Sequence, residues 1–142
     1  AYDDLSTFKL YALDVGLLRQ LSELDASVLL LSTPGYMEYK GALAENYVLQ
    51  SLTAQFQASF RYWTSGNKAE VDFLLQYDNH IYPIEVKADQ SITGKSLVQY
   101  EKLFQPACRI RYSMLNLKQD GNLINIPLFL ADKTKELLKD KS

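Results

Sequence analysis

The chain of 142 residues contains one cysteine, Cys108, and one histidine, His80. A lone cysteine excludes an internal disulfide and a cysteine-based zinc site. With the only histidine placed in a turn-like context, Ser-His-Asp and zinc-histidine chemistries are poor candidates. No unbroken apolar run is longer than four residues, as in Val28 to Leu31, far short of the ~20 that a membrane-spanning helix needs. No basic start followed by an apolar region suggests a signal peptide. No stretch has the form G-x-x-x-x-G-K-[ST], so ATP binding is not assigned to these residues. An excess of one charge is also missing. With 15 basic and 17 acidic residues the net charge is −2, whereas a domain that binds nucleic acid through phosphates alone is commonly basic. There are no repeats and no low-complexity tract. What remains, 47% apolar and 23% charged residues, is ordinary for a globular domain with a real core, and the expected location is cytoplasmic.

The segment from Glu70 to Lys87 is the most informative one present. Two apolar runs, Glu70 to Tyr77 and Ile81 to Ala88, flank Asp78-Asn79-His80, residues that favour turns. A β-hairpin is expected. Side chains alternate faces along a strand, so Glu85 and Lys87 share one face while Tyr82, Ile84 and Val86 share the other. A two-residue loop at Asp78-Asn79 pairs Tyr77 with His80 and sets Asp72 opposite Glu85. Two carboxylates so placed repel unless something positive sits between them, and a metal ion is the natural candidate. A loop at Asn79-His80 sets Asp72 opposite Lys87 instead, in an ordinary cross-strand ion pair. Spacing alone does not choose between them.

A third acid is singled out by its helix. From Tyr39 to about Gln57 the composition and periodicity are helical, and Ala42, Glu45, Leu49, Leu52 and Phe56 fall on one face. A carboxylate inside an apolar stripe is costly unless it is paired, protonated or bound to a cation. The plain alternative places Glu45 at the stripe edge, reaching solvent or a basic partner.

Further elements are expected as follows. A short strand at Leu10 to Leu13 leads into a helix from Asp14 to about Leu24, with Asp14 as the N-cap. Ser32 to Tyr36 reads as a loop and as the seam between an N-terminal piece, residues 1–35, and a core, residues 36–142. A strand near Phe60 to Thr64 precedes a Ser65-Gly66-Asn67 turn and the hairpin. A helix from Thr93 to Gln105 buries Leu97, Tyr100, Leu103 and Phe104. Strands at Arg109 to Leu115 and Leu123 to Leu130 are separated by a turn at Asp120-Gly121-Asn122, and a polar, fraying helix closes the chain. Tyr62 and Trp63 alternate faces, which brings one of them near the carboxylates. Arg61, Lys68, Lys95, Lys102, Arg109 and Arg111 are available for a basic rim, although scattered solvated charges are the commoner outcome.

Asp72 followed by Glu85-Val86-Lys87 on the next strand resembles the Asp…(Asp/Glu)-x-Lys signature of the PD-(D/E)xK nuclease superfamily, with Glu45 in the position of its helix-borne acid. The ordered set Phe8 to Leu18, Gly41 to Val48, Tyr62-Trp63, Ala69 to Phe73, Pro83 to Lys87 and Ile126 to Leu128 is similar to a domain of unknown function that follows the ATP-binding domain in bacterial and archaeal AAA-type ATPases. Val71 stands where the superfamily name has proline. The resemblance implies an α/β fold with a restriction-endonuclease-like core, a mixed central sheet flanked by helices, following an upstream ATPase domain. It also implies metal-dependent hydrolysis of DNA. Asp72, Glu85 and Lys87 would be catalytic, and Glu45, Asp72, Glu85 and the Val86 carbonyl would hold Mg²⁺ or Mn²⁺. Gln99 resembles a glutamine that some members place beside the metal. The alternative of another class is an idle nuclease-fold module that docks or recruits for the ATPase.

Overall fold

The computed structural model describes residues 8–23, 34–66, 69–89 and 94–139. Helix α1 spans Val15–Leu21 and helix α2 spans Pro34–Gln55. Asp14 caps α1 as expected, with its Oδ1 accepting the Leu17 N–H at 2.8 Å. The strand expected at Leu10 to Leu13 does not form. Those residues pair with no strand of the sheet and are tied to α2 by a side chain instead: Asn46 Oδ1 accepts the Ala12 N–H at 2.8 Å, and nearby Gln50 Oε1 accepts the N–H of Val15, the first residue of α1, at 3.2 Å.

The loop expected at Ser32 to Tyr36 needs a second correction. Ser32 and Thr33 lie outside the described residues, but Pro34, Gly35 and Tyr36 form the first turn of α2. Proline is favoured at the first helical position, because the N–H it lacks would have no intrahelical partner there and its fixed φ already suits the helix. The seam drawn between residues 35 and 36 therefore falls inside a helical turn.

Strands β1 (Arg61–Thr64), β2 (Glu70–Tyr77) and β3 (His80–Val86) follow, then α3 (Lys95–Phe104), β4 (Arg109–Ser113), β5 (Lys118–Asp120) and β6 (Leu123–Pro127). They form one six-stranded sheet in the order β1-β2-β3-β4-β6-β5. The first three strands are antiparallel, β3, β4 and β6 are parallel, and β5 returns antiparallel at the edge. The chain is thus α/β with a mixed sheet. The three-residue strand β5, Lys-Gln-Asp, carries no apolar alternation by which a strand is recognised and was not expected from sequence.

The main core lies between one face of the sheet, α2 and the C-terminal segment, where Val48, Leu52, Phe73, Leu75, Ile84, Ile110, Tyr112, Ile126 and Leu138 are buried together. Each such aliphatic or aromatic side chain contributes ~1.5–3 kcal/mol by leaving water. On the opposite face α3 packs Leu97 and Tyr100 on Val71. Leu103 and Phe104, expected in that buried face, are 59% and 54% exposed, although the Phe104 ring still meets Trp63 and Tyr100. After β6 a 3-10 turn (Leu128–Lys133) leads into α4 (Thr134–Lys139). Among the described residues this segment is anchored, with Thr134 and Leu138 buried, and residues 140–142 of the helix expected to fray lie outside them. Gln55 also bridges it to α2 by donating to the Ala131 carbonyl and accepting from the Lys135 N–H. Among the described residues no helix is long and apolar enough to cross a membrane.

Candidate functional site

The hairpin adopts the two-residue loop. Tyr77 pairs with His80, and the ladder continues through Leu75–Tyr82 to Phe73–Ile84. Asp78 and Asn79 both have positive φ, 49° and 60°, as a type I′ turn requires, and its twist matches that of the flanking strands. His80 stays exposed, with its Nδ1 2.7 Å from the Asp78 carbonyl. Beyond Phe73–Ile84 the ladder gives way to a side chain: Asp72 Oδ2 accepts the Val86 N–H at 2.7 Å.

A bulge aims Asp72. Arg61 of β1 pairs with Leu74, whereas Trp63 pairs with Val71, so two steps along β1 match three along β2 and the extra residue falls at Asp72-Phe73. Val71 and Leu74 consequently both pack towards α3, and Phe73 and Leu75 towards α2. Strict alternation would have put Val71 and Phe73 together. The Asp72 carboxylate thereby comes under the field of Glu45 on α2. Burial, then the Glu45 charge, raise its pKa to about 7, against the lowering effects of the Val86 N–H, Lys9 and Lys87.

Glu45 sits at the edge of the helix stripe and is half-buried. The buried positions of α2 are Asn46, Val48 and Leu52, while Ala42, expected on the same face, is exposed. Glu45 Oε2 accepts from the Tyr11 hydroxyl at 3.3 Å and lies 4.0 Å from Lys9 Nζ. Lys9 also forms an ion pair with Glu70 and stands over the Tyr62 ring, 5.5 Å from its centroid. Trp63 points the other way, edge-on to Tyr100 at 5.3 Å, so Tyr62 is the aromatic residue on the acid side. Burial works against the Lys9 charge, but Glu70, Glu45 and Asp72 outweigh it and hold the ammonium above its usual range. Burial, followed by the charge of Glu45 and its hydrogen bond, likewise raises the Tyr11 hydroxyl.

Glu85 belongs to a second group. It is almost wholly buried, at 2% exposure, with Oε1 3.3 Å from Lys87 Nζ and Oε2 3.5 Å from Arg111 Nε. The parallel pairing of β3 with β4 sets Glu85 directly beside Arg111. Gly94, just before α3, closes over them, since a Cβ there would collide with the Arg111 guanidinium. Glu85 and Lys87 do share a face, as expected, with Tyr82, Ile84 and Val86 in the core behind them. Lys87 links the two groups, because it pairs with Glu85 and its charge also acts on Asp72. Among the described residues no three carboxylate, histidine or cysteine side chains converge as a metal cage would require.

Other anticipated residues take structural places. Arg109 is buried, pairing with Glu101 at 2.9 Å and donating to Asn122, and Arg111 is buried against Glu85, so neither forms a basic rim. Lys68 lies outside the described residues. Gln99 donates to Ser65 Oγ at 3.1 Å. Lys9, Tyr11 and Glu70 were not anticipated at the site, and Arg111 was anticipated only for a basic rim, not as the partner of Glu85. The alternation Phe8-Lys9-Leu10-Tyr11 hints that two of them face inward, but their partners lie 34 or more residues away.

A family profile described as domain of unknown function (DUF4143) matches residues 40–129, well over half of the chain. The chain belongs to the DUF4143 family. The match runs from α2 through β6 and so contains Glu45, Asp72, Glu85 and Lys87, while Lys9 and Tyr11 precede it. Searches of curated proteins and of solved structures returned no significant match.

Proposed function

We propose that this DUF4143 domain is a nuclease-like module with a restriction-endonuclease-like core, working beside an AAA-type ATPase domain in metal-dependent hydrolysis of DNA phosphodiesters. The observation that carries this reading is the Glu45–Asp72 carboxylate pair, placed where β2 and β3 part and where Asp72 is pushed towards protonation. A hard divalent cation, Mg²⁺ or Mn²⁺, prefers such oxygen donors and relieves their repulsion. In that chemistry the donor set fits in part. The charge of Glu45 acts on Asp72, and Asp72 accepts the Val86 N–H, whereas Glu85 would have to give up Arg111 to join them.

A bound divalent cation supplies an acidified water and neutralises charge on a phosphate. The protein's own residues have separable tasks. Asp72 is fixed by the Val86 N–H and Glu45 by the Tyr11 hydroxyl, so each carboxylate is held by one donor. Lys87, held by Glu85, places a positive charge beside them, suited to the developing charge of a pentavalent phosphate.

A second reading is favoured by the Arg111–Glu85–Lys87 group. A carboxylate already matched by two cations has little need of a metal, and the residue order would then serve an idle module that docks or recruits for the ATPase domain. The net charge of −2 agrees with it.

The test is titration calorimetry of Mg²⁺ and Mn²⁺ into wild type and Asp72→Ala, followed by incubation of both with plasmid and single-stranded DNA. Binding and nicking that disappear together in the variant support the nuclease. Binding without nicking, or no binding at all, supports the interaction module.

A further inference from the structure

The sheet face that carries Glu85 continues beyond it towards the β5 edge. The register sets Glu85 beside Arg111 and Arg111 beside Asn125, and β5 sets Lys118 beside Asn125. One row therefore crosses four strands as Glu85, Arg111, Asn125 and Lys118, and directly paired positions of a sheet share a face. Helix α3 packs over β2 and β3. At the other end of the row lies a groove of about 380 Å³, with Arg111, Asn125 and Lys118 among its polar walls and Leu115, Leu117 and Leu123 among its apolar ones. Its rim is built before any ligand arrives. Ser113 Oγ donates to Asn125 Oδ1 at 2.8 Å and accepts the Leu115 N–H at 3.1 Å, while Asn125 Nδ2 donates to the Leu115 and Asn116 carbonyls at 3.3 and 3.0 Å. These bonds fix the loop of residues 114–117, so little ordering is left to be done on binding.

Arg111 is the group at this groove that its neighbours do not satisfy. It is only 8% exposed, and its Nε, although 3.5 Å from Glu85 Oε2, has no hydrogen-bond partner among the described residues; neither does that oxygen. Buried donors are almost always paired, and a guanidinium has five of them in a planar fork. Among the charges of the row and groove, the cations Lys87, Arg111 and Lys118 exceed the acids Glu85 and Asp120 by one. A single excess positive charge on a planar fork suits a carboxylate monoanion better than a phosphate dianion, and three leucines suit an apolar body. We propose that this groove binds a small organic acid, one carboxylate on an apolar body, with Arg111 receiving the carboxylate and Leu115, Leu117 and Leu123 enclosing the body. The site involves no metal and neither Glu45 nor Asp72, so it stands or falls apart from the nuclease reading.

The experiment is titration of phenylacetate into the isotope-labelled protein, followed by backbone amide NMR shifts, with its neutral isostere phenylacetamide and inorganic phosphate in parallel. Phenylacetate should saturably shift the amides of residues 115–118 and 123–125, with a Kd of ~10 mM or tighter for so small a probe. Phenylacetamide should bind at least tenfold more weakly. Arg111→Lys keeps a positive charge beside Glu85 but loses the fork, so its Kd for phenylacetate should rise at least fivefold. Leu117→Glu places a carboxylate at the rim, at a position 48% exposed that the fold does not depend on, and should abolish the shifts. Equal affinity for the acid and the amide, tighter binding of phosphate than of phenylacetate, shifts centred away from the groove or not saturable, or unchanged binding by Leu117→Glu each overturn the site. Should Arg111→Lys fail to fold, the acid–amide comparison and Leu117→Glu decide the matter by themselves.

Discussion

Replacing Asp72 with asparagine isolates what the bulge does to one carboxylate. In the fold the Asp72 pKa rises from 3.8 to about 7, chiefly through burial and then through Glu45. Because the folded state holds its proton more tightly than the unfolded chain, the two states differ in bound protons between about pH 4 and pH 7. Stability contributed by the protonated group is therefore complete below about pH 4 and is lost as pH rises through about 7. A displacement of about 3 pKa units, at ~1.36 kcal/mol each, limits the loss to about 4 kcal/mol. Water entry and the cations nearby reduce this, so ~2–3 kcal/mol is the expected size at pH 8. An asparagine side chain is neutral and keeps an oxygen that can accept the Val86 N–H, so the Asp72→Asn variant should lack this slope. Thermal and urea unfolding at pH 4 and pH 8, at fixed ionic strength, measure the difference directly. Near pH 4 the two proteins should agree within ~1 kcal/mol; at pH 8 the variant should be the more stable, by roughly 6–12 °C in Tm for a domain of this size. A stability difference independent of pH, or a variant less stable at pH 8, would refute the account of Asp72.

Two more expectations follow from the neighbouring strands. Glu85→Gln leaves Arg111 and Lys87 without their buried counter-charge and should cost ~3–5 kcal/mol in chemical denaturation at pH 7, because an uncompensated buried guanidinium is expensive; a loss below ~1 kcal/mol would mean that the pair is solvated. Asn79→Gly should stabilise the hairpin by ~0.4–1 kcal/mol, since glycine adopts the φ of 60° there without a Cβ penalty, and a destabilised variant by the same assay would rule out the type I′ turn.

Sequence alone determined what depends on neighbours along the chain. Asp14 as a cap, a turn within Asp78-Asn79-His80, and Glu85 and Lys87 on the face opposite Tyr82, Ile84 and Val86 all follow from backbone periodicity and local turn chemistry, which act over a few residues, whereas the choice of Asp78-Asn79 as the loop came only with the Tyr77–His80 pairing. The order of α2, three strands, α3 and β4 was legible for the same reason. Pro34 was not, because proline suits the first turn of a helix as well as it suits a loop, and only the continuing helix distinguishes the two. Residues 10–13 have strand-like composition, but a strand needs a partner, and these residues find α2 instead. Tertiary structure decided how the acids are grouped. Pairing of β1 with β2 creates the bulge that turns Asp72 towards Glu45, while parallel pairing of β3 with β4 across α3 gives Glu85 to Arg111. Three acids that the sequence pattern groups together are thus divided between two charge environments, because electrostatic partners are set by distance in space and the sequence specifies only distance along the chain.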